Sequence, residues 1–367
     1  MRTNSSGRAG QLFPRALRRG AVGGLPVLLA TLLLAPVASA SEPYPPRFIL
    51  PALQQPQARP GFGPAINFYG SQDFYLAWTG SATNKVFYSA YGSNCKQVSL
   101  TSCWAPQATV NGPWGHALAS GAPALTSYGG EMYAFWPGLS TKKVFYSAYN
   151  GSSWSAEATL SGSWGTATTD LPVALTVYNG DVYAAWAPLG GPGEISYSFF
   201  NGSSWSSSAT VPSLPSKRLG FPALVVYQSD LYLFWVAQGG GTGYATYNGS
   251  VWSSPTSITG AWGSAAPVTG LGVAVCDGDL FAAWGNGVST AEQSIRYSDF
   301  DGSSWTKPVV VAGTRTVLGT PVLGASGDTL YLSWGKYLIS KTGATLGSAV
   351  LVTDAENVGS PPPPPPQ

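Results

Sequence analysis

Charged side chains are scarce in this chain. Asp, Glu, Lys and Arg make up 9% of 367 residues, against about 25% in an ordinary soluble domain. There is one His, with three Cys and two Met. So few soft or imidazole ligands leave no ordinary zinc, haem or iron–sulfur site. We therefore expect no metal and no cofactor. Lys and Arg are too few and too scattered to replace the counterions of a nucleic acid, which excludes that partner. A long apolar run is also missing beyond the first 40 residues. What is abundant is Gly (46), Pro (30), Trp (14), Tyr (19) and Phe (14). Aromatic content at that level argues against disorder, and the Gly and Pro content argues against a helical bundle. The composition points to an all-β protein rich in turns.

Residues 1–40 read as a secretory signal peptide. Five Arg and no acid precede or flank an apolar run from Ala21 to Val37, which ends in Ala38-Ser39-Ala40. A basic start, an apolar middle and an A-x-A end are the features a signal peptidase reads. Gly23, Gly24, Pro26 and Pro36 interrupt the run, which argues against a permanent membrane anchor. The expected location is extracellular or periplasmic, with no stable membrane insertion after cleavage. The remaining chain holds 13 basic and 16 acidic residues, a net charge of −3.

Periodicity is the main signal. One Trp series is Trp78, Trp136, Trp186, Trp235, Trp284 and Trp334, at steps of 58, 50, 49, 49 and 50. A second is Trp104, Trp154, Trp205, Trp252 and Trp305, and a third is Trp114, Trp164 and Trp262, each ten residues after a member of the second. Together they account for every Trp. Turn signals such as Asn179-Gly180 and Asn201-Gly202 divide each copy, since Asn and Gly tolerate the positive φ of a type I′ hairpin turn. Short alternating runs such as Val182–Trp186 lie between them and suit strands. Four strands repeated about every 50 residues predict an all-β, six-bladed β-propeller of four-stranded antiparallel blades. It is expected over residues 61–352. Residues 41–60 form an N-terminal segment in which Phe48-Ile49-Leu50 can add a closing strand. Residues 353–367 form a Pro-rich tail.

Strand parity assigns the loops to faces. If the strands of a blade are lettered A to D, the A–B and C–D turns share one face. The B–C loops and the D-to-A connectors share the other, and they vary in length and content. Variable loops on a rigid scaffold are where ligands are usually met. The first Trp series occurs in every copy and reads as core; the second reads as packing at the C–D turn. The third lies in connectors on the variable face, each Trp followed by Gly. Two readings stand for Trp114, Trp164 and Trp262: open platforms that stack on a sugar ring, or indoles folded over the neighbouring blade.

The extra length of the first copy contains Cys95 and Cys103, expected to form a disulfide in an exported protein. Cys276 occupies a place taken by Tyr128, Tyr178 and Tyr227 in other copies, and reads as a buried thiol. Asn150, Asn201 and Asn248 begin N-G-S, an acceptor pattern for glycans that is read first as turn chemistry. Most carboxylates recur beside the A–B and C–D turns. No compact acid–base pair of the kind a glycosidase needs is evident, so no catalytic residue is assigned and a non-catalytic role is favoured.

The segment Ser298–Trp305 resembles the sialidase Asp-box, S-x-D-x-G-x-x-W, with the acid one place late. More broadly, P-A-L-x-x-Y-N-G-x-x-Y-x-A-W followed by I-x-Y-S-x-F-N-G-S-S-W-S resembles the repeat of bacterial PLL-type propeller lectins and of six-bladed fucose-binding fungal lectins. That resemblance implies shallow pockets between blades that bind fucose or related residues of glycans or glycoconjugates. Stacking would come from Trp114, Trp164 and Trp262, and hydrogen bonds from Arg218, Arg315, Glu194 and Glu292. A sialidase-like glycoside hydrolase and an extracellular protein-interaction scaffold are the alternatives. The sequence does not specify an oligomeric state.

Overall fold

In the computed structural model, the described residues are 48–50, 58, 62–70, 73–92, 104–191, 193–215, 219–237, 241–263, 267, 270–286, 294–311, 317–327, 329–339 and 345–357. They build six four-stranded antiparallel sheets. After β1 (Phe48–Leu50), blade 1 consists of β2 (Ala65–Tyr69), β3 (Asp73–Thr79), β4 (Val86–Tyr91) and β5 (Ala108–Thr109). A small hairpin follows, β6 (Asn111–Gly112) and β7 (Gly115–His116). Blade 2 is β8 (Ala124–Tyr128), β9 (Glu131–Pro137), β10 (Val144–Tyr149) and β11 (Ala158–Thr159), followed by a like hairpin, β12 (Ser161–Gly162) and β13 (Gly165–Thr166). Blade 3 is β14 (Ala174–Tyr178), β15 (Asp181–Trp186), β16 (Ser196–Phe200) and β17 (Ala209–Thr210). Blade 4 is β18 (Leu219–Tyr227), β19 (Asp230–Ala237), β20 (Thr242–Tyr247) and β21 (Thr256–Ser257), and a one-turn helix α1 (Thr259–Trp262) leads out of it. Blade 5 is β22 (Leu271–Cys276), β23 (Asp279–Asn286), β24 (Ser294–Phe300) and β25 (Val309–Val310). Blade 6 has β26 (Val317–Ser326), β27 (Thr329–Ile339) and β28 (Thr345–Asn357).

The last blade is completed from the other end of the chain. β1 pairs antiparallel with β28, Phe48 opposite Ala355 and Leu50 opposite Thr353. The sequence places the fourth strand of this blade near Ala344–Val352; that stretch falls largely within β28, which is the third strand, and β1 is the fourth. The innermost strands β2, β8, β14, β18, β22 and β26 each touch the next, and β26 returns to β2, so the ring is closed. Among the described residues no helix is long and apolar enough to cross a membrane.

The six Trp of the first series sit on the second strand of each blade, and all are buried. Each indole removes roughly 200 Å² from water, a gross gain of about 5 kcal/mol per blade. A second layer of aromatic rings joins neighbouring blades. Between blades 1 and 2, Tyr75 and Tyr88 meet Tyr149 at 6.4 and 5.8 Å, and Tyr88 meets Trp154 edge-on at 5.4 Å. Tyr146 with Trp205 and Tyr197 with Trp252 repeat that edge-on contact at the next two junctions. The second Trp series is therefore a blade-to-blade fastener. Loss of water in these clusters pushes the phenols of Tyr133, Tyr149 and Tyr183 up to about 12. Cys276 is a buried thiol in the same layer, its Sγ 3.8 Å from the Gly327 carbonyl oxygen of blade 6.

The two sets of Asn-Gly turns are not alike. At the A–B position Asn179 and Gly180 both have positive φ, 50° and 86°, as a type I′ turn requires. Gln228 and Ser229 adopt the same shape at 49° and 70° without a glycine, a costly choice for side chains with Cβ atoms. At the C–D position the expected type I′ hairpin is absent. Asn201 Oδ1 instead accepts hydrogen bonds from Ser203 N and Ser204 N at 3.0 and 2.9 Å, and only Gly202 has positive φ. The side chain replaces a main-chain acceptor, which is the Asx-turn alternative open to the same residues.

Candidate functional site at the blade connectors

The B–C loops and the D-to-A connectors meet on one face, as strand parity requires. Leu139 N donates to Leu118 O at 2.9 Å, Ser120 N to Pro137 O at 2.9 Å, and Leu189 N to Thr168 O at 3.0 Å. Each bond ties the connector entering a blade to that blade's B–C loop.

On this face the hairpins β6–β7 and β12–β13 repeat one geometry. Gly112 opposes Gly115 and Gly162 opposes Gly165, leaving Pro113-Trp114 and Ser163-Trp164 as two-residue turns. Trp114 stacks on Trp136 of blade 2 at 5.7 Å and 19°, and Trp164 stacks on Trp186 of blade 3 at 5.7 Å and 19°. Trp114 Nε1 donates to Ser155 O at 3.0 Å, and Trp164 Nε1 to Ser206 O at 2.9 Å. Each indole also lies back across its own hairpin. A Cβ on Gly112 would stand 2.6 Å from Trp114 Nε1, and one on Gly162 2.7 Å from Trp164 Nε1. The glycine two residues before each Trp is thus the floor under the ring.

Of the two readings of this Trp series, these contacts fit the second. The indoles fold over the following blade, with one face spent on a core Trp, and both remain half-buried. Trp262 departs further. It ends α1, is 2% exposed, stacks on Trp284 at 4.1 Å and meets Trp305 edge-on at 5.2 Å. Its ring is closed to any ligand. At the junction of blades 3 and 4, where the third series has no Trp, Leu214 packs against the cluster that holds Trp235. An apolar cover for the core Trp is what the scaffold needs there, and an indole is one way to provide it.

The same two hairpins carry polar pairs. Thr109 Oγ1 lies 3.1 Å from His116 Nδ1 at the base of the first, and Thr159 Oγ1 lies 3.0 Å from Ser161 Oγ at the base of the second. Glu194 is exposed just before β16. Arg218, Arg315, Glu292, Cys95 and Cys103 lie outside the described residues. Arg296, the third residue of β24, lies opposite Trp284 and has a buried Nε with no hydrogen-bond partner.

The opposite face carries the carboxylates of blade 5. Burial raises the Asp279 carboxyl, with repulsion from Asp299, Asp301 and Asp277 adding to it. Asp301 goes the other way. Its Oδ1 accepts from Ser303 N, Ser303 Oγ and Ser304 N at 2.7, 2.7 and 2.8 Å. Those donors, Ser304 N foremost, hold it down at about 2. This Asp-box-like turn is a folding device. Among the described residues no group of three or more His, Cys, Asp or Glu is arranged to hold a metal ion.

The sequence matches no protein-family model and no curated protein. Solved structures do match. The six-bladed propeller lectin of Aleuria aurantia, described by its fucose recognition, is 12% identical, with a TM-score of 0.55 over 85% of this chain and 99% of the lectin. A Hadza microbial sialidase is 12% identical, with a TM-score of 0.55 over 82% of this chain and 66% of its own. A sialidase of Trypanosoma rangeli is 10% identical, with a TM-score of 0.51 over 86% of this chain and 58% of its own. At these identities the likeness is one of fold: this chain is a propeller of the architecture shared by fucose lectins and sialidases.

Proposed function

We propose that this chain is an exported, non-catalytic glycan-binding propeller, with its sites at the blade connectors of the variable face. The observation that carries this reading is the pair of hairpins with matching geometry, each holding a half-buried indole at the seam of two blades and carrying a polar pair at its base. Such an indole offers an apolar surface to the C–H side of a sugar, while Thr109 and His116, or Thr159 and Ser161, take its hydroxyls. The fold shared with a fucose-recognising lectin supports the same reading. Two equivalent weak sites on one rigid body gain avidity on a dense glycan surface. Arg218, Arg315, Glu194 and Glu292 are proposed as further hydrogen-bonding groups. Trp262 is not part of the site.

A glycan array probed with residues 41–367 tests this. Because Trp114 and Trp164 hold the junctions together, the variants should spare them. We expect His116→Ala combined with Ser161→Ala to weaken array binding at least tenfold with an unchanged melting temperature. A blank wild-type array overturns the function, and an unchanged profile in the variant overturns the site. The fold likeness to sialidases favours one second reading, a glycoside hydrolase. Turnover of an aryl glycoside that is lost in Glu194→Gln would establish it.

A further inference from the structure

The innermost strands β2, β8, β14, β18, β22 and β26 each pair on one side only. Around the propeller axis they line a half-open cavity of about 180 Å³. Its lining comes from residues 62–66, 122–125, 172–175, 221–224, 271–273 and 320–323. In blades 1, 2, 3 and 5 these residues begin the strand or just precede it, and in blades 4 and 6 they lie at the bulges inside β18 and β26, so the cavity lies toward the connector face and away from the A–B turns. No charged side chain lines it.

The wall has a definite chemistry. Pro64, Pro123, Pro172, Pro222 and Pro321 contribute to it, and proline has a carbonyl but no N–H. The wall is therefore richer in acceptors than in donors. One layer in, the residues opposite the position before each core Trp are Ala65, Ala124, Ala174, Ala223, Gly272 and Val322. Small side chains at that level keep the space open. For scale, an apolar cavity of about 150 Å³ in another protein admits benzene.

The rim is preformed at a cost. Phe221 lines the cavity with φ of 49°, in the left-handed region, and sits in a bulge where the register shifts between Gly220 and Ala223. A bulky residue persists there only when its surroundings hold it. Those surroundings are specific. A Cβ on Gly270 would stand 2.6 Å from the Phe221 Cβ, and Gly270 N donates to Thr320 Oγ1 at 3.0 Å. A second bulge, between Leu318 and Val322, shapes the rim in blade 6. Phe62 completes it from blade 1.

We infer that this axial cavity is a binding site for a small neutral phenol. A single aromatic ring matches the volume, the prolines and small aliphatic side chains offer it an apolar surface, Phe62 and Phe221 stand at the rim, and its hydroxyl donates to a main-chain carbonyl. A free sugar suits the wall poorly, because its many hydroxyls need donors as well as acceptors.

The probe is 4-fluorophenol, titrated into the mature chain and followed by fluorine NMR. We expect saturable binding that Ala174→Phe, which fills the cavity, weakens at least tenfold. Where near-ultraviolet dichroism shows that Ala174→Phe has lost its fold, Ala124→Leu serves instead, with the same expected loss. Absence of saturable binding to the wild type overturns the proposal. So does binding that survives in a folded, filled variant. The array profile of that variant stays at wild-type level, since the connector hairpins are untouched; loss of both bindings together would also overturn the assignment of two separate sites.

Discussion

In blade 5 one side-chain oxygen collects three donors. Asp301 does with a charge what Asn150, Asn201 and Asn248 do with an amide at the same turn of their blades. The charge has a consequence for pH. The folded carboxyl titrates at about 2, below its usual value of 3.8. The unfolded chain therefore takes up the proton first as pH falls. The stability this provides is complete above the unfolded value and disappears as pH falls through about 2. Asp301→Asn keeps the turn and removes that dependence. Urea unfolding between pH 5 and pH 2 should show the wild type losing its advantage over the variant across that window; a constant difference would refute the account. The Asn-Gly pairs also show the limit of reading letters. They marked the turns correctly, yet the same dipeptide makes a type I′ turn at Asn179 and an Asx turn at Asn201, because the choice depends on which strands must be joined.

The connector hairpin is the element that couples two blades. Its Trp needs the preceding Gly as a floor and the next blade's core Trp as a ceiling. Gly162→Ala would bring a methyl to 2.7 Å from Trp164 Nε1. The ring must then lift from Trp186 or the hairpin must distort, at a cost of about 1–3 kcal/mol, typical of overpacking. Thermal unfolding should report that loss, together with a red shift in tryptophan emission; an unchanged melting temperature and spectrum would show that the ring does not lie there. The residues of this motif were all visible in sequence as G-x-W-G. Their orientation was not, because the surface that receives the indole belongs to a strand about 22 residues further on in the chain. Leu214 was invisible for the same reason: its role is defined by the cluster it packs against, which draws on blade 4 as well as blade 3.

At the scale of the whole molecule, closure depends on β1. Without residues 43–51, β28 becomes an open edge, and three residue pairs are lost. A ring with one incomplete blade should unfold from that blade, with hydrogen exchange in β27 and β28 accelerated first. The melting temperature should fall by about 5 °C, taking roughly 2 kcal/mol for the lost pairing. Unaltered exchange in blade 6 would mean that β1 does not close the ring.

Local chemistry determined the unit: alternating strands, turn residues and a core Trp repeat every 50 residues or so, and those features alone dictate four-stranded sheets and six copies of them. Face assignment followed too, since antiparallel strands alternate direction without regard to what surrounds them. Tertiary structure alone decided which aromatic surfaces stay available. Whether an indole in a loop points outward or is covered depends on the neighbouring blade. The cavity on the axis exists only because segments of six distant strands converge there, five of them carrying a proline that signals nothing on its own.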